Sequence, residues 1–430
     1  MQKILLFIMM AVTLNQANSQ SCLPEGIVFF LQSQIDNFQI DYPNCTQIEG
    51  DVEIEGSGIT NLNGLNVLTS IGGSLTIYRN FTLTSLTGLE GLSSIGGSLQ
   101  ISNDTGLPFA LINLAGLENL TTLGENLLIN NCLLLTSLTG LEGLTSIGGN
   151  VYITDNMALT SLTGLVNVTS IGGDFVTYHN AFSSLSGLNQ VTNIGRDLDI
   201  ESSHLLTSMT GLESITSIGR DLIISNNNAL TSVSGFDNLT SLGGQLDISF
   251  NPVLGSLEGF ETLTTIGNRL SICYNSVLTS LSGLNNIDAG SVEYLDVSNN
   301  PELSSCAVQS ICDIIARPAG SIGIFNNAAG CNTQEEVETA CATISVENIT
   351  RAIGVSIYPN PSSGFIYFNF DAGQTGPWKV RLTNALGTMI EPILVGYPDE
   401  AVDISGLTTG IYFYQVIGKS HIYNGKLVKL

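Results

Sequence analysis

Aromatic rings and carboxylates occur at matching positions of three successive segments, and they are the side chains best suited to bind a ligand. They are Tyr152, Asp155, Tyr178, His179, Asp199 and Glu201. An aromatic face beside carboxylates can hold a sugar ring or a protein side chain. The competing interpretation is a polar strand surface with no ligand.

Catalytic chemistry has less support in the sequence. A hydrolase needs a nucleophile with a base, or paired carboxylates. The chain has three histidines, His179, His204 and His421, and neither a Gly-x-Ser-x-Gly nor a His-Glu-x-x-His motif. We therefore expect a protein that is not an enzyme. A β-helical polysaccharide-degrading enzyme is the alternative, although such sites cluster basic residues and the arginines here are scattered, at positions 79, 196, 220, 269 and 317.

Calcium is a further possibility. Asp155, Asp199, Glu201 and Asp247 offer hard oxygen ligands. Because the sequence lacks an Asp-x-Asp-x-Asp-Gly loop, we expect neither a metal nor a cofactor.

A repeat must position these side chains. Its marker, Gly-Leu or Gly-Phe, returns every 23 to 28 residues and begins at Gly64, Gly88, Gly116, Gly140, Gly164, Gly187, Gly211, Gly235, Gly259 and Gly283. A period in this range is typical of a solenoid. In each copy, as in Leu75-Thr-Ile-Tyr-Arg-Asn80, alternating apolar residues predict a strand with one buried face. The apolar spacing then changes to three, which predicts turns or short helical arcs, and Ile-Gly-Gly leads into the next strand.

Stacked strands would form columns of outward side chains. One column contains Tyr152, Val176 and Asp199, and the next contains Thr154, Tyr178 and Glu201. We expect the six candidate binding residues to share one neighbourhood.

The repeat resembles the leucine-rich repeat pattern and, more closely, the receptor L domain, over about residues 22–341. The motifs that carry the resemblance are Leu-Thr-Ser-Leu-x-Gly-Leu, Ile-Gly-Gly-x-Leu and the opening Asn44–Glu55. The resemblance implies an inward Asn or Cys in each turn. Cys132 then takes the slot of Asn80, Asn156, Asn180, Asn227, Asn251 and Asn275. Cys132 and Cys273 lie too many turns apart to pair, so we expect two free thiols.

The predicted domains follow from composition. Residues 1–19 read as a signal peptide with a short apolar core. Residues 20–50 form a disulfide-bounded cap with a short amphipathic helix, 51–303 the repeat solenoid, 304–342 a Cys-rich cap, 343–354 a linker and 355–430 a separate domain. Six cysteines bracket the solenoid as disulfide candidates: Cys22, Cys45, Cys306, Cys312, Cys331 and Cys341. Three pairings of the last four remain open.

Charge separates the two main parts. Residues 20–350 carry 5 Lys/Arg against 32 Asp/Glu, whereas residues 351–430 carry 6 against 5. An acidic body repels phosphate backbones, so we expect no nucleic-acid partner. No stretch is long and apolar enough for a transmembrane helix.

Residues 355–430 read as short strands separated by turns, a small antiparallel β-sandwich. They resemble the type A C-terminal sorting domain of the type IX secretion system. The matching motifs are Tyr358–Gly364, Asp403–Tyr412 and Gly425–Leu430, and within them we assign the sorting signal to Tyr358, Pro359, Asn360, Pro361, Gly364, Gly410, Tyr412, Lys426 and Lys429. The resemblance implies contact with the secretion machinery and export across the outer membrane. It also implies removal of the tail, after which the body is released or attached to surface lipopolysaccharide.

The predicted fold is mainly β: a right-handed, leucine-rich-repeat-like or β-helical solenoid followed by the small β-sandwich. We expect a cell-surface or extracellular, adhesin- or receptor-like protein whose strand face binds protein or glycan. The alternative is a structural surface-coat protein without a specific ligand.

Overall fold

The alternation of apolar residues produces one short strand in every turn. In Val151–Thr154, Val151 and Ile153 are buried in the core, while Tyr152 between them is half-buried. The computed structural model describes residues 20–103, 109–317, 320–350, 355–370, 378–384, 389–395, 400–417 and 422–430. The predicted signal peptide, residues 1–19, lies outside these ranges.

These strands form a parallel sheet, here called the long sheet, which has 13 strands within the described residues. Its strands are Ile27–Phe29, Val52–Glu55, Leu75–Tyr78, Leu99–Ser102, Leu127–Asn130, Val151–Thr154, Phe175–Tyr178, Leu198–Glu201, Leu222–Ser225, Leu246–Ser249, Arg269–Cys273, Tyr294–Ser298 and Ser321–Phe325. Equivalent residues of successive turns lie side by side, as Tyr152, Val176 and Asp199 do. The columns expected from the sequence therefore exist.

A second parallel sheet has 10 described strands, each of which precedes a strand of the long sheet. The sequence did not predict this sheet. Its strands are Gln20–Cys22, Cys45–Ile48, Ser70–Ile71, Ser94–Ile95, Thr122–Leu123, Ser146–Ile147, Ser170–Ile171, Asn193–Ile194, Ser217–Ile218 and Ser241–Leu242. Strands of two residues are too short to show a period of two. A row of hydroxyls supports them: the Thr169 Oγ1 donates to the Thr145 carbonyl at 3.2 Å, and the same contact recurs along the solenoid.

Leucines spaced by three fill the arcs between the two sheets. Leu159, Leu162, Leu165 and Val168 are all buried in one such arc. Some arcs contain a 3-10 turn; those described are Asn63–Leu65, Thr163–Leu165, Ser282–Leu284 and Ala289–Ser291. In others the marker glycine takes a backbone angle that side chains disfavour: Gly140 has φ 112°, and a Cβ there would collide with the Leu114 carbonyl. Packing in the core thus determines the repeated sequence motif.

Caps close the solenoid. At the N-terminal end, helices Gln32–Asp36 and Phe38–Asp41 bury Ile35 and Phe38, and a disulfide joins Cys22 to Cys45. At the other end, the Cys306–Cys331 disulfide brackets helix Gln309–Ile315, and Cys312 and Cys341 are also disulfide-bonded. Cys132 and Cys273 are free thiols, as expected.

Helix Gln334–Thr350 runs past residue 342 into the segment predicted as a linker, residues 343–354. Its first turn carries Glu335 and Glu336, which favour a helix N-terminus. From there to Gly354 no proline or glycine interrupts the chain. Residues 351–354 lie outside the described part.

The remaining strands form a second unit, and the chain divides by contacts into residues 1–338 and 339–430. One sheet has three strands, Val355–Tyr358, Phe365–Phe370 and Ala401–Asp403; the other has four, Met389–Val395, Trp378–Asn384, Gly410–Ile417 and Ile422–Lys429. Phe368, Trp378 and Tyr414 are among the residues of its core. Strands Met389–Val395 and Ala401–Asp403 were missed in the sequence. The predicted order, a mainly β solenoid and then a small antiparallel β-domain, is confirmed. In the described residues no helix is long and apolar enough to cross a membrane.

Candidate functional site

An inward asparagine ladder fixes the corner that follows most strands of the long sheet, and Ser203 takes the place of asparagine in one turn. The Asn156 Oδ1 accepts from the Cys132 backbone N–H at 2.9 Å, and its Nδ2 donates to the Ile129 carbonyl at 2.9 Å. Such bonds satisfy buried polar groups that a β-arc leaves unpaired. Cys132 fills the same slot with its Sγ 3.6 Å from the Ile101 carbonyl, and burial raises the pKa of its thiol to about 12, so that it stays protonated.

The residue just before each ladder position adopts a left-handed backbone. We call these residues the corner row: Arg79, Asn131, Asp155, His179, Ser202, Asn226, Phe250, Tyr274, Asn299 and Asn326, with φ between 46° and 60°. The row places Asp155 and His179 next to each other on consecutive turns.

The polar cluster is the part of the predicted site that the structure brings together. The His179 Nδ1 lies 2.9 Å from the Asp155 Oδ1, and the rings of Tyr178 and His179 meet edge to face with centroids 5.4 Å apart. Tyr178 lies directly opposite Glu201 in the sheet. We define the polar cluster as Asp155, Tyr178, His179 and Glu201.

Tyr152 stands apart from this cluster, whereas Asp199 lies on the same strand face as Glu201, two residues away. Val176 separates Tyr152 from Asp199 in the sheet. The Tyr152 hydroxyl donates to the Asp174 Oδ2 at 3.1 Å, and the Asp174 Oδ1 in turn accepts from the Asp197 backbone N–H at 3.2 Å. Tyr152 is therefore tied to a second row of polar side chains that joins successive turns.

Asp199 is electrostatically unusual. Burial, with smaller contributions from Glu201, Asp197 and Asp247, raises its pKa from 3.8 to about 7. Its Oδ1 is buried without a hydrogen-bond partner, as is the Oδ1 of Asp247. Ile223 lies between these two carboxylates in the sheet. The face therefore gains negative charge as the pH rises towards neutrality.

The four carboxylates considered for calcium do not converge. Asp155 pairs with His179, whereas Asp199 and Asp247 lie two strands apart. Across the described ranges, no group of three His, Cys, Asp or Glu side chains is arranged to hold a metal ion.

Two features of the surface were missed. His204 lies one turn beyond His179, with ring centroids 6.3 Å apart. Further along the corner row, Phe250 and Tyr274 stack with centroids 4.4 Å apart and planes 6° apart, and each is 47% exposed. The sequence contained a signal for this pair, because Phe250 and Tyr274 each directly precede an inward asparagine. Their adjacency becomes evident only when the residue before each asparagine is known to lie at the corner.

Val253 and Val277 occupy matching positions three residues after these rings and are also exposed. We call Phe250, Val253, Tyr274 and Val277 the aromatic patch. Four exposed apolar side chains at matching positions of two consecutive turns are unlike singly scattered surface apolar residues.

In the C-terminal unit, several assigned sorting-signal residues hold the domain together. The Asn360 side chain accepts from the Val428 backbone N–H at 2.8 Å and donates to the Lys426 carbonyl at 2.7 Å. Tyr412 is buried and donates to the Thr408 carbonyl, and Lys429 is buried as well. Tyr358, Pro359, Pro361 and Gly364 belong to the end of strand Val355–Tyr358 and the following turn, Gly410 begins a strand, and Lys426 is exposed.

Two family models match parts of the chain. Residues 356–430 match the secretion system C-terminal sorting domain, and residues 44–108 match the receptor L domain. No curated protein matches the chain.

The solenoid and these two matches fit a class of surface repeat proteins that carry a C-terminal sorting domain. The particular route follows from the second unit, because this sorting domain marks proteins exported by type IX secretion to the cell surface or the extracellular space. It also implies an interaction with that machinery.

Proposed function

We propose that the exported body acts by binding, and that it presents the corner row and the adjoining strand face to a protein or glycan ligand. The polar cluster and the aromatic patch are the two contact regions. His179 and Phe250 are three turns apart along the row, roughly 14 Å at ~4.8 Å per strand. An extended ligand could touch both regions.

The aromatic patch is the observation that carries the proposal. Ten described turns place a left-handed residue in the corner row, and asparagine and aspartate adopt that backbone with the least strain. Phe250 and Tyr274 adopt it at greater cost and leave much of each ring exposed. Strained residues that the fold does not require are typical of binding sites. Aromatic side chains are also the commonest anchors of interfaces.

Charge narrows the class of ligand. The body carries 5 Lys/Arg and 32 Asp/Glu, and its strand face includes Asp199, Glu201 and Asp247. An acidic surface repels anionic polymers and favours neutral or cationic groups. We therefore propose a neutral glycan or a protein segment that carries lysine or arginine.

The same surface supports binding without catalysis. His179 contacts Asp155, Tyr178 and His204, and Ser202 follows it in the corner row. Asp155 orients the imidazole, but within the described residues no hydrogen bond joins Ser202 to His179, so we propose that the two do not act as a nucleophile with its base. Incubating the body with polysaccharides and following chain length tests this part of the proposal. Depolymerisation would contradict it.

After export, we propose that residues 355–430 are removed and that the body is released or attached to surface lipopolysaccharide. Mass spectrometry of the surface and culture fractions tests the cleavage. Recovery of the intact tail on the exported protein would contradict it.

The binding proposal is tested with glycan arrays and pull-downs that compare three variants with the parent. Phe250→Asn/Tyr274→Asn and Tyr178→Ala/His179→Asn each remove one contact region, and Arg79→Asn changes the same corner row on a distant turn. We expect at least tenfold weaker binding for the first two variants and parental binding for the third. Parental binding by both the aromatic-patch variant and the polar-cluster variant would overturn the proposal. A body that binds nothing and assembles into an ordered layer would favour the coat-protein alternative.

A further inference from the structure

One face of the four-stranded sheet in the C-terminal unit is apolar and exposed. Along Gly410–Ile417, Tyr412, Tyr414 and Val416 point into the core, while Ile411 and Phe413 point outward and are 41% and 53% exposed. A strand can place polar residues at outward positions at no cost to its core. Two large apolar residues there call for a partner.

Cationic side chains lie on the same outer face, one of them directly beside Phe413. Phe413 lies opposite Lys426 in one adjoining strand and opposite Thr383 in the other. Lys379 and Arg381 point to the same outer face, because they alternate with buried Trp378, Val380 and Leu382 in their strand. Lys379 and Lys426 are exposed, and Ile411 adjoins half-buried Val428. The outer face therefore combines an apolar centre with three cations.

Three of the nine assigned sorting-signal residues make contacts that hold the fold together. Asn360 fastens the strand Ile422–Lys429, Tyr412 is in the core, and Lys429 is buried with its Nζ donating to the Leu430 carbonyl. Lys426 is the exposed member that lies on the outer face. Side chains engaged in this way stabilise the domain and leave recognition to the residues around them.

We propose that the outer face formed by Ile411, Phe413, Lys379, Arg381 and Lys426 is the surface by which the sorting domain docks on the secretion machinery. The matching surface of the partner would offer an apolar pocket bordered by carboxylates. The apolar centre would supply affinity, and the cations would supply orientation and a faster encounter. The inference rests on the sorting-domain match and is independent of what the body binds.

The outer face of the three-stranded sheet provides a matched comparison. Phe365 is 53% exposed, the same as Phe413, but it lies opposite Asp403 instead of a lysine. The two phenylalanines thus differ in the charge beside them and in the sheet they occupy, while their exposure is equal. A general need for surface apolarity would make them equivalent.

The test expresses the full chain in a bacterium with a type IX secretion system and measures the exported and the periplasmic fractions. We expect Phe413→Ser to reduce export at least tenfold and to leave precursor in the periplasm, while Phe365→Ser is exported like the parent. Lys426→Glu should reduce export, and Lys426→Arg should preserve it. Melting curves of the purified precursors establish that each variant folds.

Three results would overturn the proposal. The first is parental export of both Phe413→Ser and Lys426→Glu. The second is an equal loss of export for Phe413→Ser and Phe365→Ser with parental melting. The third is a change from dimer to monomer in Phe413→Ser with export retained, which would make the face a contact between copies of the chain. A further control distinguishes a protein partner from a membrane surface. If a variant that is no longer exported still binds vesicles containing anionic lipid like the parent, the lost contact is with a protein, which supports the proposal.

Discussion

The repeat body and the sorting domain are held together by contacts of different range. In the body, Asn251 accepts from the backbone of Asn227, 24 residues earlier, and its own backbone N–H donates to Asn275, 24 residues later. In the sorting domain, Asn360 bonds to Val428, 68 residues away. The body is therefore a chain of neighbour interactions, whereas the sorting domain requires its first and last strands at once.

The comparison also shows where recognition can reside. In both units some recurrent or signature residues lie inside: the asparagine ladder in the body, and Tyr412 and Lys429 in the sorting domain. The surfaces proposed for binding consist of residues whose type the fold does not determine, such as Tyr274 and Phe413. The following substitutions sharpen the contrast between local and long-range stabilisation.

The largest effect is expected for Asn251→Leu in the body. The change leaves the Asn227 N–H and the Ile224 carbonyl without their partners at 3.0 and 2.9 Å. Each buried unpaired group costs about 1–3 kcal/mol, so we expect a loss of about 3–5 kcal/mol. Hydrogen exchange should rise in the neighbouring turns and stay unchanged in the sorting domain. A uniform rise through the whole body would contradict the neighbour model.

Asn360→Ala should have a smaller effect that spreads further. It removes two hydrogen bonds, for a loss of about 1–3 kcal/mol in the unfolding of the sorting domain. Because the strand Ile422–Lys429 pairs with Gly410–Ile417 and that strand with Trp378–Asn384, exchange should rise in all three. Exchange confined to the last strand would show that this domain also unfolds locally.

Asp199→Asn tests the charged face. The folded pKa of Asp199, about 7, lies above its ordinary value of 3.8, so the folded state holds the proton more tightly and loses stability as the pH rises between these values. The variant should be more stable than the parent at pH 8, by about 1 kcal/mol after allowance for solvent screening, and equal to it near pH 4. Denaturant titrations at both pH values measure the difference. Equal stability at pH 8 would mean that solvent screens the carboxylate fully.

The smallest effect is expected for Thr169→Val, which removes one exposed hydroxyl bond to the Thr145 carbonyl. We expect a loss of about 0.5 kcal/mol in the same titrations. A loss comparable to that of Asn251→Leu would move the main support of the solenoid from the inward ladder to the hydroxyl row.

Much of the fold could be predicted because every copy of the repeat has the same pattern of buried residues. The strand positions and the free thiols followed from the 24-residue period, and the inward slot of Cys132 followed from the resemblance to the receptor L domain. The second sheet did not, since a strand as short as Ser146–Ile147 has no readable alternation. The helical continuation through residues 343–350 was missed because a polar segment between domains resembles a linker.

The candidate site was predicted less completely. Register could be read from the repeat, so Tyr178 and Glu201 were placed together, but the direction of a side chain at the corner could not. Tyr152, within a strand, bonds to Asp174, which precedes the next strand. Phe250 stacks on Tyr274 because both residues have left-handed backbone angles at the corner. Those angles arise from the stacking of turns.

The most direct test of the account is the unfolding free energy of the body in Phe250→Asn/Tyr274→Asn. Asparagine relieves a left-handed strain of about 1–2 kcal/mol per residue, which offsets the loss of a stacked pair that contributes about 0.5–1.5 kcal/mol. The account predicts a body at least as stable as the parent that no longer binds its ligand. A variant less stable by more than about 1 kcal/mol would show that the aromatic pair supports the fold, and would contradict the assignment of the corner row to recognition.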